Sequence, residues 1–97
     1  MPYEIILAPD AVRDLRTLRA KLRAEVRDGL KKHLRFEPRK ATRARIKRLR
    51  GVREPQYRLR IGDVRVYYDV QGSEVQVVAI VPKAEAAEWL RKAGEPE

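Results

Sequence analysis

Apolar residues recur with two different spacings along this chain of 97 residues. Between positions 12 and 34 they lie three or four residues apart, as expected for one buried face of a helix. These residues are Val12, Leu15, Leu18, Leu22, Val26, Leu30 and Leu34. The pattern fits one long helix or a helical hairpin bent near residues 19–21, and periodicity alone leaves both open. Glu37-Pro38 ends the helical region, because a residue before proline disfavours helical backbone.

Alternating apolar and polar residues predict strands on both sides of this region. The predicted strands cover residues 3–7, 56–61, 64–70 and 75–81. A short helix is expected from Lys83 to Lys92, with Ala86, Ala87 and Leu90 facing inward. We expect residues 94–97 to form a loose tail. The pattern predicts a single α+β domain spanning residues 1–97.

The second and third predicted strands flank Gly62-Asp63, which suits a two-residue type II′ hairpin turn. Such a turn fixes which residues of the two strands lie opposite each other. One face then carries the apolar pairs Ile61–Val64, Leu59–Val66 and Tyr57–Tyr68. The other face must place Arg60 opposite Arg65 and Arg58 opposite Tyr67. With a four-residue loop at 71–74, the next strand would pair Val66 with Ala79 and Val64 with Val81.

The charge of the chain is strongly unbalanced, with 23 lysines and arginines, 14 acidic residues and a net charge of +9. Such a charge repels itself, which favours a polyanionic or acidic partner, nucleic acid first and an acidic protein second. Residues 39–53 contain no acidic residue. We predict that this segment contacts RNA through Arg39, Lys40, Arg43, Arg45, Lys47, Arg48 and Arg50.

The opposed arginines of the hairpin predict an anion site. Arg60 and Arg65 face each other, although like charges opposite each other destabilise a strand pair. Guanidinium groups bind phosphate through paired hydrogen bonds, so a preformed phosphate site explains this arrangement better than arginines that point at water.

Several kinds of chemistry are excluded by composition. The chain has no cysteine and a single histidine, His33, so neither thiolate catalysis nor a two-histidine ribonuclease mechanism is available. The carboxylates are scattered and no glycine-rich phosphate loop is present, so we expect no metal site and no cofactor. No apolar run is long enough to span a membrane, and a cytoplasmic location is expected. RNA cleavage by its own 2′-hydroxyl remains possible, because the protein then supplies only geometry and positive charge.

Two segments, Lys47-Arg48-Leu49-Arg50-Gly51 and Tyr57 to Tyr68, resemble the signature of the RelE/ParE superfamily of type II toxins, closer to RelE than to ParE. The likeness extends to the Ala8-Pro9-Asp10-Ala11 segment and the helical region ending at Pro38. It implies a RelE-like fold, with two N-terminal helices packed on a small antiparallel sheet of about four strands and a short C-terminal helix. It also implies a cognate acidic antitoxin as partner.

For the RelE branch, the resemblance implies metal-independent cleavage of mRNA on the ribosome, with mRNA and ribosomal RNA as partners. Its two basic strand residues and the arginine after the turn carry over to Arg58, Arg60 and Arg65 as catalytic residues. The C-terminal arginine and tyrosine of RelE do not carry over, because Ala84 and Trp89-Leu90 stand there. Tyr67 and Lys83 are possible accessory catalytic residues.

Three functions follow from this comparison. The first is an mRNA interferase, an endoribonuclease that inhibits translation. The second is a ParE-like inhibitor of DNA gyrase without catalytic activity, which the missing C-terminal pair favours. The third is an inactive relative that binds nucleic acid or antitoxin.

Overall fold

A computed structural model describes residues 2–97, so Met1 of the predicted domain lies outside the described residues. The elements in chain order are β1 (Glu4–Leu7), α1 (Pro9–Thr17), α2 (Ala20–Leu34), β2 (Ile46–Arg48), β3 (Val52–Glu54), β4 (Tyr57–Ile61), β5 (Val64–Gln71), β6 (Glu74–Pro82), α3 (Lys83–Ala93) and β7 (Glu95–Pro96). The predicted α+β class is confirmed.

The N-terminal helical region is a hairpin of two helices. Leu18 and Arg19 both have extended backbone, with ψ angles of 149° and 153°, and they separate α1 from α2. Pro9 occupies the first turn of α1, where its missing N–H costs no hydrogen bond. The structure therefore contains the helical hairpin and not one long helix. The break at residues 18–19 falls near the predicted bend at residues 19–21.

Five strands form the main sheet in the order β1-β6-β5-β4-β2. All neighbours are antiparallel except β1 and β6, which run parallel. The strand count exceeds the predicted four because the short strand β2 adds to the edge of β4. A second, two-stranded sheet pairs β3 with β7.

The C-terminal residues correct one expectation. Residues 94–97 were expected to be loose, but Glu95–Pro96 pairs with Val52–Glu54. The Glu95 carboxylate also accepts a hydrogen bond from the Arg53 guanidinium. A two-residue strand held by one ion pair has no periodicity that the sequence could reveal.

The central hairpin has the predicted register. Ile61 pairs with Val64, Arg60 with Arg65 and Arg58 with Tyr67. Gly62 has a positive φ of 54° and Asp63 does not have a positive φ, as a type II′ turn requires. The apolar face of the hairpin packs against α1 and α2 in the main core, which buries Val26, Leu30, Leu34, Leu59, Val66 and Tyr68, among others.

The next hairpin departs from prediction. Its loop has two residues, since Gln71 pairs with Glu74, and Val78 forms a bulge that shifts the remaining register of β6 by one residue. Val66 therefore lies opposite Ile80 instead of the predicted Ala79, and Val64 opposite Pro82 instead of Val81. The bulge moves Ile80 into the main core and turns Ala79 and Val81 towards the opposite face of the sheet.

Asp14 satisfies a backbone donor next to the bulge. β1 pairs with β6 only as far as Val77, so the N–H groups beyond Val77 lose their neighbouring strand. One carboxylate oxygen of Asp14, on α1, accepts a hydrogen bond from the Ile80 N–H at 3.0 Å. A helix side chain thus satisfies a backbone donor that the end of β1 leaves unpaired.

A second, smaller core lies on the opposite face of the sheet, beneath α3. Its buried members are Leu49, Tyr67, Ala79, Val81 and Ala86. The Trp89 ring stacks on Tyr67 with centroids 4.6 Å apart. Ala86 is buried as predicted, Leu90 is half-buried, and Ala87, predicted to face inward, is exposed.

Asp14→Ala should destabilise the fold by about 1–3 kcal/mol, because it leaves the Ile80 N–H without a partner. Asp10→Ala is the matched control, since Asp10 is an exposed carboxylate of the same helix whose pair with Arg13 contributes about 0–1 kcal/mol. Urea unfolding of both variants measures the difference. Equal stability losses would contradict the role given to Asp14.

Candidate nucleic-acid interface

A cleft of about 680 Å³ lies between residues 41–50 and the strands of the central hairpin. Eight basic side chains line it, and we refer to it as the arginine cleft. They are Arg43, Arg45, Lys47, Arg48, Arg50, Arg58, Arg60 and Arg65. Within residues 2–97, no acidic side chain lines the cleft and none of these eight forms a salt bridge. The cleft therefore presents uncompensated positive charge to any ligand that enters it.

The basic segment is fixed against β4 by hydrogen bonds. The Thr42 hydroxyl accepts from the N–H groups of Arg45 and Ile46, at 3.1 Å each. The Arg60 N–H donates to the Arg45 carbonyl at 2.9 Å, and buried Ile46 pairs with Leu59. These contacts hold the backbone of this wall in one position, so that its basic side chains start from fixed points before a ligand binds.

Arg65 is the most confined cation of the cleft, with only 8% of its surface exposed. Its Nη1 group donates to the carbonyls of Gly62 and Val64, at 2.9 and 3.3 Å. Burial, and then repulsion from Arg58 and Arg60, lowers the pKa of the Arg65 guanidinium. An arginine nevertheless keeps its charge at neutral pH. The guanidinium is thus oriented by backbone carbonyls and still has donors to offer an anion.

Tyr67 and Lys83, the predicted accessory residues, do not line the cleft. Tyr67 is only 1% exposed, and its hydroxyl donates to the Ala86 carbonyl at 3.3 Å. Burial raises the pKa of the Tyr67 phenol, while the charges of Arg58 and Arg65 act in the opposite direction. Lys83 begins α3, and its backbone N–H donates to the Asp63 carbonyl at 2.7 Å. The Tyr67 phenol is therefore part of the second core and is closed to a ligand.

Two residues of the predicted RNA-binding set also lie outside the arginine cleft. Arg39 donates to the Tyr3 hydroxyl at 3.0 Å. The Lys40 ammonium lies 3.4 Å from a carboxylate oxygen of Glu37. The arginine cleft brings together the three predicted catalytic residues, Arg58, Arg60 and Arg65, and the other five predicted RNA-binding residues. The roles of all eight stay predictions. Sequence reasoning missed Thr42, whose hydroxyl organises the segment, because its hydrogen bonds depend on a turn that charge patterning does not reveal.

Two features are absent from the described part of the chain. Across residues 2–97, no three histidine or acidic side chains lie close enough to hold a metal ion. No helix in this range is both long and apolar enough to cross a membrane.

The sequence also matches a known family. A sequence model described as "ParE toxin of type II toxin-antitoxin system, parDE" matches residues 5–87. The chain belongs to this toxin family. The resemblance to the RelE/ParE superfamily is thereby confirmed, and with it the description of the chain as a toxin of a type II toxin–antitoxin system. No curated protein sequence gives a match.

Solved structures of related toxins share the fold. A mutant of Escherichia coli toxin RelE in the free state is 28% identical, with a TM-score of 0.70 over 96% of this chain and 95% of that one. The toxin–antitoxin complex RelBE2 from Mycobacterium tuberculosis is 26% identical, with a TM-score of 0.66 over 84% of this chain and 99% of that one. A chain of the chromosomal ParDE system from Pseudomonas aeruginosa is 18% identical, with a TM-score of 0.58 over 82% of this chain and 95% of that one. At this identity the comparison shows that the two chains share a fold and nothing more.

Inorganic tripolyphosphate should bind the arginine cleft and raise the thermal midpoint of the toxin, since a ligand that binds only the folded state stabilises it. At about 100 times its Kd, the gain is about 2.7 kcal/mol. The double variant Arg58→Ala/Arg60→Ala should lose most of this gain.

The charge-matched control is Arg16→Ala/Arg27→Ala, which removes two exposed arginines of α1 and α2 that lie outside the cleft. It should keep most of the stabilisation. If both double variants respond equally to tripolyphosphate, the binding reflects net charge and not the cleft.

Proposed function

We propose that the toxin is an mRNA interferase that cleaves mRNA on the ribosome without a metal ion. The observation that carries the proposal is the arginine cleft, where Arg58, Arg60 and Arg65 converge from both strands of one hairpin and no acidic side chain of residues 2–97 lines the cleft. Such a site suits a substrate whose charge is borne by phosphates.

In this reaction the 2′-hydroxyl of one nucleotide attacks the adjacent phosphate, and the bond to the 5′-oxygen of the next nucleotide breaks. Negative charge accumulates on the pentacoordinate phosphate during this step. Guanidinium groups already fixed in place stabilise that charge without reorganising. Arg65 is suited to this role because the Gly62 and Val64 carbonyls hold it.

The proton transfers need a different group, because arginines are poor general bases. The buried Tyr67 phenol does not reach the cleft. Two groups are left to move the protons: Lys47 and a group of the ribosome. Lys47 lines the cleft and pairs with Arg58 across β2 and β4. Cleavage would depend on the ribosome because the toxin supplies the charge and the ribosome holds the RNA in the reactive geometry.

The second candidate is a ParE-like inhibitor of DNA gyrase. Two observations favour it: the matching family is a ParE family, and α3 carries Ala84 where the RelE resemblance calls for an arginine. In that case the arginine cleft would bind an acidic surface or a DNA backbone and would catalyse nothing. An inactive binding relative is the third candidate.

A cognate antitoxin is the expected partner in each case. RelBE2 of Mycobacterium tuberculosis is a toxin–antitoxin complex, and this chain is 26% identical to a chain of it. An acidic, amphipathic antitoxin segment would neutralise the arginine cleft and associate rapidly with it. A neighbouring gene for a small acidic protein is the simplest sign of such a partner.

Brief expression of the toxin should produce new mRNA ends at the ribosomal A site and stop translation. Arg65→Ala should lower the cleavage rate by about 10²–10³-fold, the usual loss when one electrostatic donor to the transition state is removed. Mapping of mRNA 5′ ends, together with a circular dichroism check of folding, measures this effect.

Arg27→Ala is the control, because Arg27 is exposed on α2 outside the cleft and should leave cleavage unchanged. Continued translation with no new mRNA ends would contradict the interferase. Trapped gyrase–DNA adducts and lost supercoiling under the same expression would establish the second candidate instead.

A further inference from the structure

Phe36 is held out of the protein by the residues on either side of it. It lies just after α2, between Leu34 and Pro38, which are both buried. The Tyr68 hydroxyl donates to the Pro38 carbonyl at 2.7 Å and fixes the chain there. Phe36 is 65% exposed and is the large hydrophobic residue that residues 2–97 leave in water. The buried residues on both sides therefore hold Phe36 at this exposed position.

The surroundings of Phe36 are a groove of about 280 Å³, which we call the Phe36 groove. Its lining consists of Lys32, His33, Phe36, Glu37, Lys40, Thr42, Arg45 and Ile46. The groove shares Thr42, Arg45 and Ile46 with the arginine cleft, so the two form one continuous surface. A strand of RNA that leaves the cleft past Arg45 would meet Phe36 next.

The charge of this groove is also that of a nucleic-acid site. Lys32 and Arg45 carry no salt bridge within residues 2–97, while Glu37 is paired with Lys40 at 3.4 Å. Burial, and then the charges of Arg45 and Lys32, lowers the pKa of His33, so this imidazole is neutral near pH 7. The Arg35 guanidinium carbon lies 5.8 Å from the centre of the Phe36 ring, which places a further cation at the ring. An exposed aromatic face beside cations is how proteins hold unpaired bases.

We propose that Phe36 is a stacking site for an unpaired nucleobase, and that the RNA-binding surface extends from the arginine cleft to this ring. This inference rests on the proposed function in that the ligand is single-stranded RNA. The phosphates of that strand would lie along the cleft, and the base beyond Arg45 would lie on Phe36. A base stacked on phenylalanine gives affinity with little dependence on sequence, because every base has a flat apolar face.

The test uses a fluorescein-labelled single-stranded oligoribonucleotide and an abasic oligomer with the same number of phosphates. Phe36→Ala should weaken binding of the normal oligomer by about 5- to 150-fold and leave the abasic oligomer unchanged. Phe36→Trp keeps a flat ring and should bind the normal oligomer as tightly as the unchanged toxin does. The fluorescence of the introduced indole should be quenched by the normal oligomer only. Phe36→Leu keeps an apolar side chain without a flat ring and should behave like Phe36→Ala.

Arg60→Ala is the matched control for the cleft, since it should weaken both oligomers to the same extent. The proposal is overturned if Phe36→Ala leaves the normal oligomer unchanged or weakens both oligomers alike. Unchanged RNA affinity with weaker capture of an acidic antitoxin would overturn it in favour of a protein-docking surface.

The two proposals fail separately. A base-dependent effect of Phe36 in a toxin that makes no mRNA ends would support the stacking site and reject the interferase. Normal mRNA cleavage with no base-dependent effect of Phe36 would reject the stacking site alone.

Discussion

The two-residue turn at Gly62-Asp63 is the constraint on which the rest of the structure depends. Gly62 adopts a φ of 54°, which the turn requires and which side chains other than glycine disfavour. With this turn in place, the apolar residues of both strands face α1 and α2, and Arg60 and Arg65 must meet on the other face. A slip of one residue would turn the arginines towards α1 and α2 and remove the apolar side chains from the main core, so burial and turn geometry enforce the same register.

The fold holds eight cations together against their mutual repulsion. Pairing of β2 with β4, the Thr42 hydrogen bonds and the carbonyls that hold Arg65 fix the arginine cleft in position. Repulsion of this kind is relieved when a polyanion or an acidic partner binds. The same architecture buries Tyr67 under α3, so in the proposed cleavage of mRNA the proton transfers would need a group other than this phenol.

Local rules predicted most of this arrangement from sequence. The helical hairpin, the strand pairs from Ile61–Val64 to Tyr57–Tyr68 and the facing arginines follow from periodicity and one turn. The bulge at Val78 leaves no signal in the strand's own alternation, and the hydrogen bond beside it joins Asp14 of α1 to the Ile80 N–H, 66 residues away in sequence. The burial of Tyr67 and the pairing of Glu95–Pro96 with β3 likewise depend on where α3 packs. The Phe36 groove was missed because exposure of a single aromatic residue leaves no pattern.

Arginine side-chain NMR during titration with a single-stranded oligoribonucleotide tests the central claim most directly, which is that Arg65 is the fixed point at which the cleft binds phosphate. We predict that the guanidinium signals of Arg65 shift first and furthest, because the Gly62 and Val64 carbonyls already orient this group. Arg16 and Arg27, which are exposed on the helices, should stay unchanged at matched ionic strength. Unchanged Arg65 signals at saturating RNA, with shifts spread over the helical arginines, would contradict the account.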